Sequence, residues 1–271
     1  MTSWRDEVFE EGADWLASSS VVLAFLIVPI AGGLLVLASR ADKPLFKLVT
    51  GENRILETLQ FIGYLTACVT AALVAVWLFR RRLGVPTTLW AAFALGCLLV
   101  AGEEIAWGQT YFDWETPEAL EEINEQAQTT VHNIGPVQNV MGVILLLIGL
   151  YGIASPLVYR WRTGHRPGGL ARLFVPPLFL LPAFLVLFGY KLIRLTVLTS
   201  DRFTLVELSE WPELCLAAAL AGFSFLTLRW LRATQPVLGR TVVPPQAVPV
   251  EADLRRIDPP PAREQKLNKE A

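Results

Sequence analysis

The sequence predicts an all-α, polytopic helical membrane protein of about six transmembrane helices, with a short amphipathic helix in an outer loop. Three observations carry that prediction. Of 271 residues, 53% are apolar and only 18% are charged, where an ordinary soluble domain carries about a quarter charged residues. Mean hydropathy is +0.45. The apolar excess is gathered into long uncharged runs, most of them near the ~20 residues a helix needs to cross a hydrocarbon core of about 30 Å. A water-soluble enzyme, a disordered protein and a disulfide scaffold are excluded by the same composition.

The chain divides into an acidic N-terminal segment (1–18), a six-helix transmembrane domain (19–232, outer loop 109–135) and a C-terminal tail (233–271). Asp6, Glu7, Glu10, Glu11 and Asp14 make the start acidic, unlike the basic n-region of a cleaved signal peptide, so the first span is expected to remain in the mature protein. The uncharged runs are 15–39, 58–79, 83–102, the apolar part of 126–159, 173–190 and 214–228. The last is short and borrows residues from about Val206 onward, which draws Glu207, Glu210 and Glu213 toward the membrane. Trp15, Trp77, Trp90, Trp107, Trp161, Trp211 and Trp230 fall where spans should meet headgroups. The run 118–125 follows Thr116-Pro117, an N-cap and N1 pair, and predicts a surface helix. The tail, with Pro244-Pro245 and Pro259-Pro260-Pro261, reads as disordered and cytoplasmic.

Orientation follows the Lys/Arg bias of short loops. Arg80-Arg81-Arg82, then Arg160, Arg162, Arg166 and Arg172, then Arg229 and Arg232 share one side, expected to be cytoplasmic. The loop 109–135 has six acids and no Lys or Arg, which places it outside; Arg40, Lys43, Lys47 and Arg54 on that side oppose the trend. Both termini are therefore expected in the cytoplasm.

With 23 Lys+Arg against 25 Asp+Glu, no nucleic-acid partner is supported. Cys68, Cys97 and Cys215 each stand alone in apolar runs, as buried thiols rather than a disulfide or thiolate zinc site. A charge at mid-membrane costs about 2.5–3.5 kcal/mol on insertion scales, and here such residues gather at one level. Asn53, Glu57, Gln60 and Tyr64 share a helical face at the start of span 2. Glu103, Glu104, Trp107 and Gln109 end span 3; Lys191 and Arg194 end span 5; Glu207, Glu210 and Glu213 begin span 6. All emerge on the outer side, beside Asn124, Gln126, Gln128, His132 and Asn133. Adjacent helical residues point about 100° apart, so Glu103 and Glu104 should divide their tasks. Lys191 and Arg194 read as membrane-edge anchors or counter-ions, and His165 in the Arg-rich loop as a solvated residue.

The segment from Gly102-Glu103-Glu104-Ile105-x-Trp107-Gly108-Gln109 through Asn124-x-Gln126 to His132-Asn133 resembles a family of uncharacterised bacterial multi-pass membrane proteins, over about an eighth of the chain. The family pattern often has Glu where this chain has Gln128 and Asn where it has Thr130. The resemblance implies a bacterial inner-membrane protein and singles out Glu103, Glu104, Trp107, Gln109, Asn124, Gln126, His132 and Asn133.

These residues point first to a membrane enzyme with an outward-facing carboxylate/His/Asn/Gln site acting on a lipid or lipid-linked substrate. Glu103, Glu104, His132 and Glu57 are the candidate catalytic groups. Trp107, Gln109, Asn124, Gln126, Asn133, Lys191, Arg194, Glu207 and Glu210 are the candidate substrate contacts. Glu103, Glu104, His132 and Glu207 are the candidate ligands for a divalent cation with oxygen donors. Two histidines on opposite sides exclude a three-His zinc site. The alternatives are an ion- or proton-coupled transporter and a non-catalytic subunit that docks a partner through the acidic outer loop.

Overall fold

The computed structural model describes residues 3–51, 54–112, 114–122, 124, 129–131, 134–197 and 207–234. Among them no strand occurs, and six helical segments are long and apolar enough to cross a membrane. The order is α1 (Trp4–Asp14), α2 (Ser19–Ser39), α3 (Lys43–Thr50), α4 (Ile55–Arg80), α5 (Gly84–Glu104), α6 (Gln109–Phe112), α7 (Glu118–Glu121), α8 (Gly135–Thr163), α9 (Leu181–Thr196) and α10 (Glu210–Ala233). Residues 1–233 form one compact unit, and the tail beyond it falls almost wholly outside the described residues.

Helix α4 is central, packed on α5 and α10; α9 joins α10 to α8, and α2 lies against α9 and α10. Between apolar helices in lipid, small residues set how closely backbones approach. A Cβ at Gly152 would stand 2.2 Å from the Phe184 ring, and one at Gly149 3.0 Å from Phe188 Cβ; these two positions let α8 close on α9. The outward surface of the spans is apolar, with Leu35, Phe79 and Leu95 among its exposed side chains.

Several elements differ from expectation. Helix α3, capped by Asp42 and ending at Gly51, occupies the basic connection between the first two spans that the hydropathy pattern passed over. Its Phe46 and Thr50 are buried while Leu45 and Leu48 face outward. Helix α7 starts at Glu118 with Pro117 itself as N-cap and no side-chain cap; Thr116, expected to cap it, instead accepts from Gln109 Nε2 at 2.9 Å. The fifth span begins as 3₁₀ turns at Gly169–Leu173 and Leu178–Leu180 around Pro176-Pro177 before α9 proper.

Trp15 and Trp90 do not sit among headgroups. Trp15 is 1% exposed and Trp90 packs against Phe93 and Phe223 at 5.5 and 5.6 Å. Arg172 lies over the rings of both Trp15 and Trp230, 5.5 and 5.4 Å from their centroids.

The acidic N-terminal segment is part of the body. Capped by Ser3 through a capping box with Asp6, α1 docks under the basic end of the bundle. Arg160 pairs with Glu7, and with Glu11 at 2.7 Å. Arg166 pairs with Glu10, and with Asp14 at 3.1 Å. Glu11 is 1% exposed and its Oε2 accepts from the Leu178 N–H at 2.9 Å. Burial holds its carboxyl above the usual range, against the opposing pull of Arg160, the Leu178 N–H and Arg166.

Candidate functional site

Just after the C-terminal end of α5 the chain reverses over three left-handed residues, Ala106 (φ 45°), Trp107 (φ 54°) and Gly108 (φ 98°). Two of these carry side chains, and non-glycine residues in this region are strained unless their surroundings hold them. Here the Trp107 indole does the holding. It folds back across Gly102, where a Cβ would stand 2.8 Å from the ring, and Nε1 donates to Glu103 Oε1 at 2.7 Å.

The second oxygen of Glu103, Oε2, accepts from the Val131 N–H at 2.7 Å, across 28 residues. Gln109 makes the next stitch: Nε2 donates to Trp114 O and Thr116 Oγ1, both at 2.9 Å, and Oε1 accepts from the Thr129 N–H at 2.8 Å. Asn124, buried, donates to Thr130 O at 2.6 Å and Thr130 Oγ1 at 3.1 Å. Glu103, Trp107, Gln109 and Asn124 thus organise the loop between α5 and α8. Thr129, Thr130 and Thr116, absent from the sequence candidates, are their partners; no helical or strand period marks such loop contacts in advance.

Glu104 takes the other direction, as the 100° offset requires. Its charged neighbours are Glu213, Glu210, Glu57 and Glu103. Beneath them Gln60, wholly buried, donates through Nε2 to Glu210 O at 2.7 Å and Glu210 Oε2 at 2.9 Å, and its Oε1 meets no hydrogen-bond partner among the described residues. Tyr64, also buried, lies in the field of Glu104, Glu213 and Glu210. Lys191 pairs with Glu213 at 2.8 Å and rests 5.8 Å from the Tyr190 ring centroid. Tyr190 lies in the field of Arg194, and Glu210 in that of Glu207.

Of the candidates, Glu57, Glu104, Glu207, Glu210 and Lys191 converge on this wall, whereas Glu103, Trp107, Gln109 and Asn124 serve the loop. His132, Gln126 and Asn133, with Gln128, lie outside the described residues. Among the described residues no group of three His, Cys, Asp or Glu is placed to hold a metal ion.

The polar wall stops partway down the bundle. Thr70 and Ser224 share a buried hydrogen bond at 2.6 Å. Toward the α1 end follow Ala71, Val74, Leu78, Leu228 and Leu231 with Trp90, an apolar cluster.

Comparison with protein-family models, with curated proteins and with solved structures finds no match.

Proposed function

We propose that the outer carboxylate wall is the working site of a membrane enzyme that acts on a lipid or lipid-linked substrate in the outer part of a bacterial inner membrane. The observation that carries this reading is the convergence of Glu57, Glu104 and Glu210 from three separate spans over buried Gln60 and Tyr64. Ionisable groups in a membrane are costly and ordinarily face a cavity, a partner or a substrate. In this reading Glu104 exchanges a proton with the substrate, Glu210 is held by Gln60, and Lys191 balances Glu213. Glu103, Gln109 and Asn124 hold the loop that follows α5. The apolar layer below Thr70 and Ser224 argues against a transport path through this interface.

A second reading keeps one observation on its side: Glu115, Glu118, Glu121 and Glu122 are exposed on the outer loop, as a subunit docking a basic partner would present them.

The test is lipidomics of a deletion strain complemented by Glu104→Gln, Glu210→Gln or a variant with those four loop acids changed to Gln, at equal membrane abundance. The enzyme reading expects an altered lipid profile that Glu104→Gln fails to restore. An unaltered profile in the deletion strain removes the enzyme reading, and failure of the loop variant alone favours docking.

A further inference from the structure

Trp211 draws α10 onto α2 at their outer halves. Its indole lies across Gly32, where a Cβ would stand 2.2 Å from the ring, and Nε1 donates to Pro29 O at 2.8 Å. Toward the α1 end the two helices leave a lateral groove of about 320 Å³ backed by α4. Val21 and Phe25 of α2 and Ala221 and Phe225 of α10 form its walls, and Ser18 and Arg229 stand at its inner end. The stretch of α10 lining it, from Ala218 to Arg229, rises about 16 Å at 1.5 Å per residue. That is close to half of a hydrocarbon core of about 30 Å, the depth of one leaflet.

The charge at the inner end is not balanced from within. Arg160, Arg166 and Arg172 at this end are each paired with acids of α1. Arg229 is exposed and forms no ion pair among the described residues, and the first turn of α2 carries no acidic side chain. A groove that opens sideways into hydrocarbon admits an occupant that is apolar along its length. A cation at its headgroup end asks that the occupant be anionic there.

We infer that this groove binds an anionic phospholipid of the leaflet at the α1 end, one acyl chain lying along Phe25 and Ala221 and the phosphate meeting Arg229 and the Ser18 hydroxyl.

The test uses the purified full chain in detergent, supplied with equal amounts of phosphatidylglycerol and phosphatidylcholine of the same acyl chains, with retained lipid read by native mass spectrometry. Retention should favour phosphatidylglycerol about fivefold, the weight of one cation near a membrane surface. Arg229→Gln should erase that preference. Ala221→Leu, which fills the groove, should reduce retention of both lipids. Arg232→Gln, one turn on and outside the groove lining, should leave the preference intact. Equal retention of the two lipids by the unaltered protein overturns the inference, as does full retention by Ala221→Leu. An Arg232→Gln variant that behaves like Arg229→Gln also overturns it, because a diffuse surface field then explains the selectivity.

Discussion

Trp107 donates its indole N–H to Glu103 across a single turn at 2.7 Å, and this bond fastens a left-handed reversal to the end of a transmembrane helix. Because the other Glu103 oxygen takes the Val131 N–H, both oxygens face donors. A glutamine at 103 would turn its amide nitrogen, also a donor, toward one of them.

Glu103→Gln is therefore not conservative. It should loosen the loop after α5 by about 1.5–3 kcal/mol, the range for losing a hydrogen bond to a charged group, and expose the loop to protease while the six spans stay folded. Hydrogen exchange at the Val131 amide measures the loosening directly. Exchange as slow as in the unaltered protein would remove Glu103 from the loop's architecture.

Glu11 supplies a pH dependence with a definite sign. It faces Arg160 from α8, Arg166 from the following loop and the Leu178 N–H, with Glu7 sharing Arg160 and with Glu10 and Asp14 sharing Arg166. Its folded-state value is raised, chiefly by burial. The stabilisation it contributes is thus complete below its unfolded value and is lost as pH rises through the folded one. Glu11→Gln should be at least as stable as the unaltered protein at neutral pH. That gap should close on acidification toward the ordinary carboxylate range. Thermal melts in detergent across that window check it, and a gap of the opposite sign would mean that Arg160 outweighs desolvation.

Gly32 and Trp211 should be strongly coupled. Gly32→Ala places a methyl against the indole and should destabilise by about 1–3 kcal/mol, as overpacking does. In a Trp211→Ala background the same change should cost little. A double-mutant cycle on melting temperature measures the coupling, and additive effects would place the ring elsewhere.

The orientation can be mapped by single cysteines in a background lacking Cys68, Cys97 and Cys215. A cysteine at Leu120 should be labelled from outside intact cells, and one at Thr163 only after permeabilisation. The reverse pattern would put the carboxylate wall in the cytoplasm.

The sequence by itself determined the all-helical architecture and its six spans. In hydrocarbon a chain must satisfy its own backbone hydrogen bonds, so an apolar run of sufficient length becomes a helix whatever its neighbours are, and its first charged residues mark its ends. The division of labour between Glu103 and Glu104 followed from the same local rules. Tertiary structure alone decided the partners. That Asn124 and Gln109 knit the loop is a matter of side chains meeting within it; that α1 docks through Glu11 onto Arg160 and Leu178, that Trp15 packs against Phe223, and that α2 and α10 part to leave a groove beside Arg229 are contacts between residues distant in the chain. Most of these pairs span more than a hundred residues. Their geometry is set by which side chains fit when helices pack, and no local period of hydropathy or charge encodes that fit.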